Sequence, residues 1–505
     1  MPRLIFPSHH RLVIIAIAGL WIATFANSSD AQILIWPPED APAPKAEPKS
    51  EDEVKTLQIT PAPEPEPALR YRFWPIPGEE TPGNAMTLYQ RAIAMRLEQR
   101  AERQTDPFFE NYDQWMNGPL DELPKEAVRD YLEKNQAVLA ELHRAASMKD
   151  SEHAIGLETM PGSDALQVLL TELQQARDLA RLLVLEARLA RSEKRYEDAV
   201  QTFKASFRLA ETVGQATDLL VGRLIGLAIA NHMLQEVQEM ATQPDSPNMY
   251  WAFASLPDSL WEIRQALEFE LNLTGRFLPQ LANVTRDTSL SDAGWQSRIV
   301  EATTEYMEIA GPPAQPQQLT VQSRLVAGSL VLAFDGRSRD YLEQIGYSPE
   351  AVQAMSPSEA VLRGIRERLQ RLQDEQAKWA LLPYRIAKDY EAQTADAVRS
   401  RDGATDPASV MVSLLAPAVE AAHAASVQTE QTAAFSATIE ALRMHAAEHG
   451  QFPESLENLK PVPAIPDPAT GEHFGYEKIS DTEAKLERVP VGGQPDPTLR
   501  LELRQ

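Results

Sequence analysis

Residues 219–234 read LLVGRLIGLAIANHML, a run with a single formal charge, Arg223. A helix apolar on every side has no face to give to water, so this stretch predicts the buried centre of a helical protein. Upstream, Leu166, Leu169, Leu170, Leu173, Ala176, Ala180, Leu183, Val184 and Ala187 recur at helical spacing. Val168, Leu179, Leu182, Leu185 and Leu189 fill a second flank of the same helix, which must therefore be covered on two sides. The whole region from Asp164 to Ala241 is the core around which the chain is organised. Gly222 and Gly226 stand four apart on the central helix, a small-xxx-small spacing that marks a close internal helix crossing. Asn231 and His232 are the polar pair nearest this core, and with Glu236 as the one acidic neighbour a turn away His232 reads as a hydrogen-bonded core residue.

The chain has 505 residues, enough for two or three domains, and 43% of them are hydrophobic. Its 73 Asp and Glu outnumber 48 Lys and Arg, a net charge of −25, which repels polyanions and argues against nucleic acid as a partner. The absence of cysteine removes disulfides, cysteine-ligated zinc and thiol catalysis together. Arg3, His9, His10 and Arg11 precede an apolar run from Leu12 to Ala26, and Ser29-Asp30-Ala31 offers small residues for cleavage. This pattern predicts a secretory signal over 1–31, with an uncleaved N-terminal membrane anchor as the alternative. From Trp36 to Pro67 proline and charge dominate, so residues 32–68 are expected to form a disordered Pro/Glu-rich linker.

Residues 69–310 are then expected to form a helical domain centred on 164–241. Helices are predicted over Ala85 to about Arg103, over Pro124 to about Met148, and from the aromatic Asn248–Pro257 segment onward through Leu260, Ile263, Leu267 and Leu271. Around Lys194–Ala199 a long helix, an aromatic-acidic corner and a return helix resemble one tetratricopeptide repeat, with Ala187, Tyr196, Ala199 and Phe203 at matching positions. A stable array needs about three such units, so a plain helical hairpin is the expectation. Gly311–Pro316 predicts a second linker, 311–318, and residues 319–405 continue the helical domain. In that part Ser356-Pro-Ser-Glu359 is a capping box that opens a helix to about Val398. Arg363, Arg366, Arg368 and Arg371 are expected to lie on its solvated or partner-facing side.

Residues 406–505 are expected to form a distinct α+β module. A long alanine-rich helix, kinked near Pro417 and ended by Gly450, carries Phe435, Ile439, Leu442 and Ala446 as an apolar stripe. Phe474–Ile479, Lys485–Val489 and Leu499–Leu503 are the strand signals, and the stripe is expected to cover their small antiparallel sheet. The run ALRMHAAEHGQFPESLENL followed by DPATGEHFGYE resembles the globular part of the major pseudopilins of type II secretion. That resemblance implies the shape of this module. Together with the signal, LRYR at 69–72 and the Asn248–Pro257 element, the tail also resembles a family of exported, uncharacterised planctomycete proteins, which implies location and architecture.

His445-Ala-Ala-Glu448-His449 spells H-x-x-E-H, in which two His on one helical face bind zinc and the Glu activates water. His449 stands directly before the helix-ending Gly450, and a third ligand would have to come from a short, turn-rich remainder, so no catalytic, cofactor-binding or metal residue is assigned. The fold class expected is mainly α, a multi-helix bundle or irregular helical array with a small C-terminal α+β module. The function expected is that of a non-enzymatic exported cell-envelope protein acting as a structural or interaction module, with other envelope proteins as partners. The alternative is a hydrolase, for which a zinc protease site at His445, Glu448 and His449 is the concrete form.

Overall fold

A computed structural model describes residues 55–101, 106–152, 162–216, 219–269, 278–310, 316–399, 416–492 and 498–504. The signal, residues 32–54 of the expected linker, most of the expected 311–318 linker, Leu271 and residues 406–415 of the expected C-terminal module lie outside them. In chain order the main elements are β1 (Lys55–Ile59), β2 (Thr81–Asn84), α1 (Ala85–Ala101), α2 (Lys125–Lys134), α3 (Gln136–Ala146), β3 (Met148–Asp150), α4 (Gly162–Ser192), α5 (Tyr196–Gln215) and α6 (Leu220–Met240). They are followed by α7 (Asp292–Ala310), α8 (Pro316–Gln344), α9 (Pro357–Ala380), α10 (Tyr384–Arg399), α11 (Ala416–His449), β4 (Gly475–Lys478), β5 (Glu483–Glu487) and β6 (Leu499–Leu503). The protein is mainly helical with a small sheet at its C-terminal end, as the periodicity predicts. Among the described residues no helix is long and apolar enough to cross a membrane.

The described residues divide into two compact units. The larger one takes in 55–152, 167–263 and 424–504, so it is assembled from three separated stretches of chain. Its core joins Leu182, Leu183 and Leu185 of α4, Phe203 and Phe207 of α5, Ile229 and Met233 of α6, and Phe435, Ile439 and Leu442 of α11. The expectation of a distinct module from 406 onward is thereby corrected, because the α11 stripe belongs to the same core as the central helices. Phe435 also meets Phe474 edge to face at 5.1 Å, which places the stripe against the sheet as its apolar spacing requires. The close crossing predicted from Gly226 is between α5 and α6: a Cβ there would stand 2.5 Å from the Ala210 carbonyl oxygen and 3.0 Å from Gly214 Cα.

The C-terminal sheet has four strands in the order β1-β6-β5-β4, and β1 runs parallel to β6 with Leu57 beside Leu501. The other two pairings are antiparallel. The linker expectation is therefore corrected for its last part. Leu57 and Ile59 alternate with polar residues and are buried, while Pro61 and Pro63 lie just past the strand, where a missing N–H costs no ladder bond. The chain after β1 is held too, with Thr60 N–H donating to the Ala241 carbonyl at 3.2 Å and Ala62 N–H to that of Arg443 at 3.2 Å.

Three helices expected as single rods are broken. Between α2 and α3 the buried Asn135 Nδ2 donates to the Tyr131 carbonyl at 2.7 Å while its Oδ1 accepts from Arg96 at 2.9 Å, so its side chain competes with the ladder. After Asn248 the helix spans Tyr250 to Ala254, gives way past Pro257 to a 3₁₀ turn over Asp258–Leu260, and resumes over 264–269, which includes Leu267. The helix opened by Ser356, whose Oγ accepts from Glu359 N–H at 3.3 Å, ends at Ala380 and restarts at Tyr384 across Pro383. The kink expected near Pro417 falls at the edge of the described residues.

The smaller unit takes in 264–423 and the start of α4. It is a unit of its own, not a continuation of the central helical domain; residues 316–318 of the expected linker open α8, and 311–315 lie outside the described residues. Its core holds Leu278, Leu281, Trp295, Ile299, Val361, Leu362 and Leu369. Arg363 corrects the expected solvated face of α9. It is 5% exposed, lies over the Trp295 ring at 5.1 Å, and donates to the carbonyls of Thr285 and Thr288, at 2.6 Å each, and to Glu359 at 2.9 Å.

Candidate functional site

The helix hairpin of α4 and α5 turns through Glu193–Arg195, with Lys194 in the left-handed region at φ 57°. On α4, Arg177, Arg181, Arg188 and Arg191 share one face among leucines, and all four are buried. A guanidinium keeps its charge inside a protein, so each must find acceptors there. Glu236 of α6 supplies the best of them. One of its oxygens accepts from Arg188 Nη1 at 2.9 Å and the other from Arg191 Nη1. Arg188 also donates to the Gly118 carbonyl, and Arg191 reaches Gln243 at 3.2 Å and Glu239 at 3.4 Å. Burial pushes the Glu236 carboxyl up, but the two guanidiniums outweigh it and hold the group below the usual carboxylate range.

The seam continues toward α1. Arg96 donates to Asn135 and Asp106 at 2.9 Å each and to the Tyr131 hydroxyl, and its Nε lies 3.9 Å from Asp178. Arg181 donates to Asp178 at 3.2 Å. Arg177 contacts Gln174 at 3.4 Å, and burial followed by the neighbouring Arg181 charge brings it down to about 10. His232, one turn before Glu236, is buried with neither ring nitrogen hydrogen-bonded. Burial lowers its pKa, so the imidazole is neutral at neutral pH. The expectation of a hydrogen-bonded core histidine is thus corrected in its partners and kept in its burial.

A second knot ties α11 to two loops. Arg443, with 0% exposure, donates to both Glu440 oxygens at 2.9 and 2.8 Å, to the Thr60 carbonyl at 2.7 Å and to the Ser246 carbonyl at 3.0 Å. Asn248 Nδ2 donates to the Glu440 carbonyl at 2.8 Å, and Met249 N–H to the Glu440 carboxylate at 3.1 Å. Toward the start of α11, burial and then the charges of Asp258, Asp467 and Glu262 push the Glu430 carboxyl up to about 7. Asp467 itself accepts from Gln431 at 3.0 Å on both oxygens and from Ala469 N–H at 2.8 Å, which builds the turn that enters the sheet.

His445 and His449 stack face to face, ring centroids 4.2 Å apart, and each has its Nδ1 engaged in the helix end. His445 Nδ1 accepts from Lys460 N–H at 3.3 Å, and His449 Nδ1 donates to the His445 carbonyl at 3.1 Å. Among the described residues no group of three or more His, Asp or Glu is arranged to hold a metal ion. An apolar cavity of ≈ 40 Å³ lies among α1, α4 and α5, lined by Tyr89, Ile93, Leu173, Leu179, Leu209 and Val213. That is far below the hundreds of Å³ of a ligand pocket.

The arginine stripe of α4 is the feature that the apolar periodicity hides. Its signal is arginine at i, i+4, i+11 and i+14 in a helix whose other faces are leucine-rich, so that no wet face is left for the charges. Compared with protein-family models, curated proteins and solved structures, the chain finds no match.

Proposed function

We propose that this chain is a non-enzymatic structural or interaction protein of the cell envelope, exported by the signal at 1–31. The observation that carries the reading is how its buried charge is used. Arg188 and Arg191 close on one carboxylate across α4 and α6, and Arg443 closes on Glu440 and on backbone carbonyls of two loops. Guanidiniums placed this way position elements and do not transfer protons. The excess of acidic residues, 73 against 48 basic ones, suits partners with basic faces. The pseudopilin-like run at the C-terminal end supports envelope proteins as those partners.

The test uses the full chain in its own host. Cell fractionation with N-terminal sequencing is expected to find it in the envelope, beginning after about Ala31. The purified protein is expected to turn over no peptide, ester or glycoside substrate. Turnover that disappears on His445→Ala or His449→Ala would establish the hydrolase reading instead.

A further inference from the structure

We propose that the outer face of α8 is a self-association surface, on which a second copy of this chain lays the same helix antiparallel. The inference concerns the smaller unit alone and holds whatever the larger one does. Ser323, Ala327, Ser338 and Leu342 turn α8 inward and are buried. On the opposite side, at helical spacing, stand Val321, Leu325 and Leu332, which are 59%, 68% and 89% exposed. From Leu325 to Phe334 the helix carries no charge at all. Isolated exposed leucines are ordinary, but Val321, Leu325 and Leu332 on one side of about three turns, with only small residues between the two leucines on that side, mark a contact surface.

Gly328 and Gly336 lie on the same stripe, and a Cβ at either would meet nothing within 4 Å. Nothing within the chain calls for glycine there, and alanine would make the stronger helix. Glycine in an exposed face exposes backbone, which weakens any docking onto lipid, whereas it lets another helix come close. The occupant follows from the symmetry of the stripe. A twofold axis between Gly328 and Ser329 sets Leu325 opposite Leu332 of the second copy, Val321 opposite its Gly336, and the central small residues against each other. The same axis brings Arg324 within a turn of Asp335 of the second copy on one flank, twice over. Asp335 accepts from Arg339 Nε on one oxygen at 2.9 Å, and the proposed pairing gives its other oxygen to the incoming guanidinium. One helix face supplies less than the roughly 800 Å² per partner of a stable interface, so the dimer is weak and concentration-dependent.

Sedimentation equilibrium of the full chain is expected to show a monomer passing to a dimer as concentration rises from about 1 µM to several hundred. Leu332→Glu and Leu325→Lys are each expected to abolish the dimer with the circular dichroism unchanged, since both side chains are exposed. The double variant is expected to restore it by pairing Lys with Glu. Because the chain has no cysteine, Ser329→Cys, beside the axis, is expected to cross-link two copies under mild oxidant, while Leu332→Cys is not. A monomer at every concentration, a dimer indifferent to Leu332→Glu, or cross-linking at 332 in place of 329 would each overturn the proposal. So would flotation with phosphatidylcholine vesicles that is lost on Leu332→Glu, because lipid would then be the occupant.

Discussion

Gly226→Ala tests the packing at the centre of the larger unit. The new Cβ would stand 2.5 Å from the Ala210 carbonyl oxygen, nearly 1 Å short of the 3.4 Å at which ordinary contact begins, and 3.0 Å from Gly214 Cα. Both obstacles are backbone, so no rotamer change relieves them and α6 must retreat from α5. Overpacking of this kind costs about 1–3 kcal/mol, while replacing glycine within a helix returns about 1 kcal/mol. A clash of 2.5 Å against backbone belongs at the upper end of that range, about 2–3 kcal/mol, so the balance is a loss of about 1–2 kcal/mol. Gly214→Ala is the internal control, since its Cβ would meet only the flexible end of Arg223, at 2.9 Å. Urea unfolding should show a lower midpoint for Gly226→Ala than for Gly214→Ala. Hydrogen exchange should quicken in the peptides covering α5 and α6. A midpoint equal to or above that of the parent chain would refute the reasoning, because the two helices could then part at no cost.

Glu236→Gln leaves Arg188 and Arg191 without their shared charge and should cost about 3–5 kcal/mol in thermal unfolding. Because the carboxyl is held below its ordinary value of 4.5, its contribution is complete above that pH and fades as pH falls through the lowered value. Glu430 behaves in the opposite sense. Its rise from 4.5 to about 7 means that stability falls as pH climbs between those values, by up to about 3 kcal/mol. Glu430→Gln should flatten that slope and raise the melting temperature at pH 8, and an unchanged slope would remove the burial argument. Leu442→Asp places an unpaired charge where the side chain is 0% exposed and should unfold the larger unit, which loss of its hydrogen-exchange protection would report. His445→Ala and His449→Ala should leave folding intact, and metal analysis should find no stoichiometric zinc in the parent chain. Zinc lost with either histidine would restore the protease reading.

Much of the architecture was legible because it rests on periodicity. Leucines at helical spacing over α4, the apolar run of α6 with its single charge and the Phe435–Leu442 stripe all announce buried faces, and all lie in one core. What stayed hidden depends on contacts across hundreds of residues. The Lys55–Ile59 strand is short and sits among prolines, so its two inward residues carry no weight until β6 lies beside it. Asn135 breaks a helix only because Arg96, on another element, takes its side-chain oxygen. The arginines of α4 read as helix formers until Glu236 shows why they are buried. The two-unit division was equally hidden, since no linker composition marks the places where the larger unit is interrupted.

The parallel pairing of β1 with β6 joins segments about 440 residues apart in sequence. A ribosome adding about 5–20 residues per second needs on the order of 20–90 s to make the second strand after the first. Throughout that interval β1 has an unsatisfied edge and its apolar side chains have no lid. Closing so long a loop is entropically costly and slow. Folding of the larger unit is therefore a late, all-chain event, and a nascent or truncated chain lacking Leu499–Leu503 carries an open strand. The charged Lys55 and the prolines at 61 and 63 are the residues that keep this strand from recruiting a stranger while it waits.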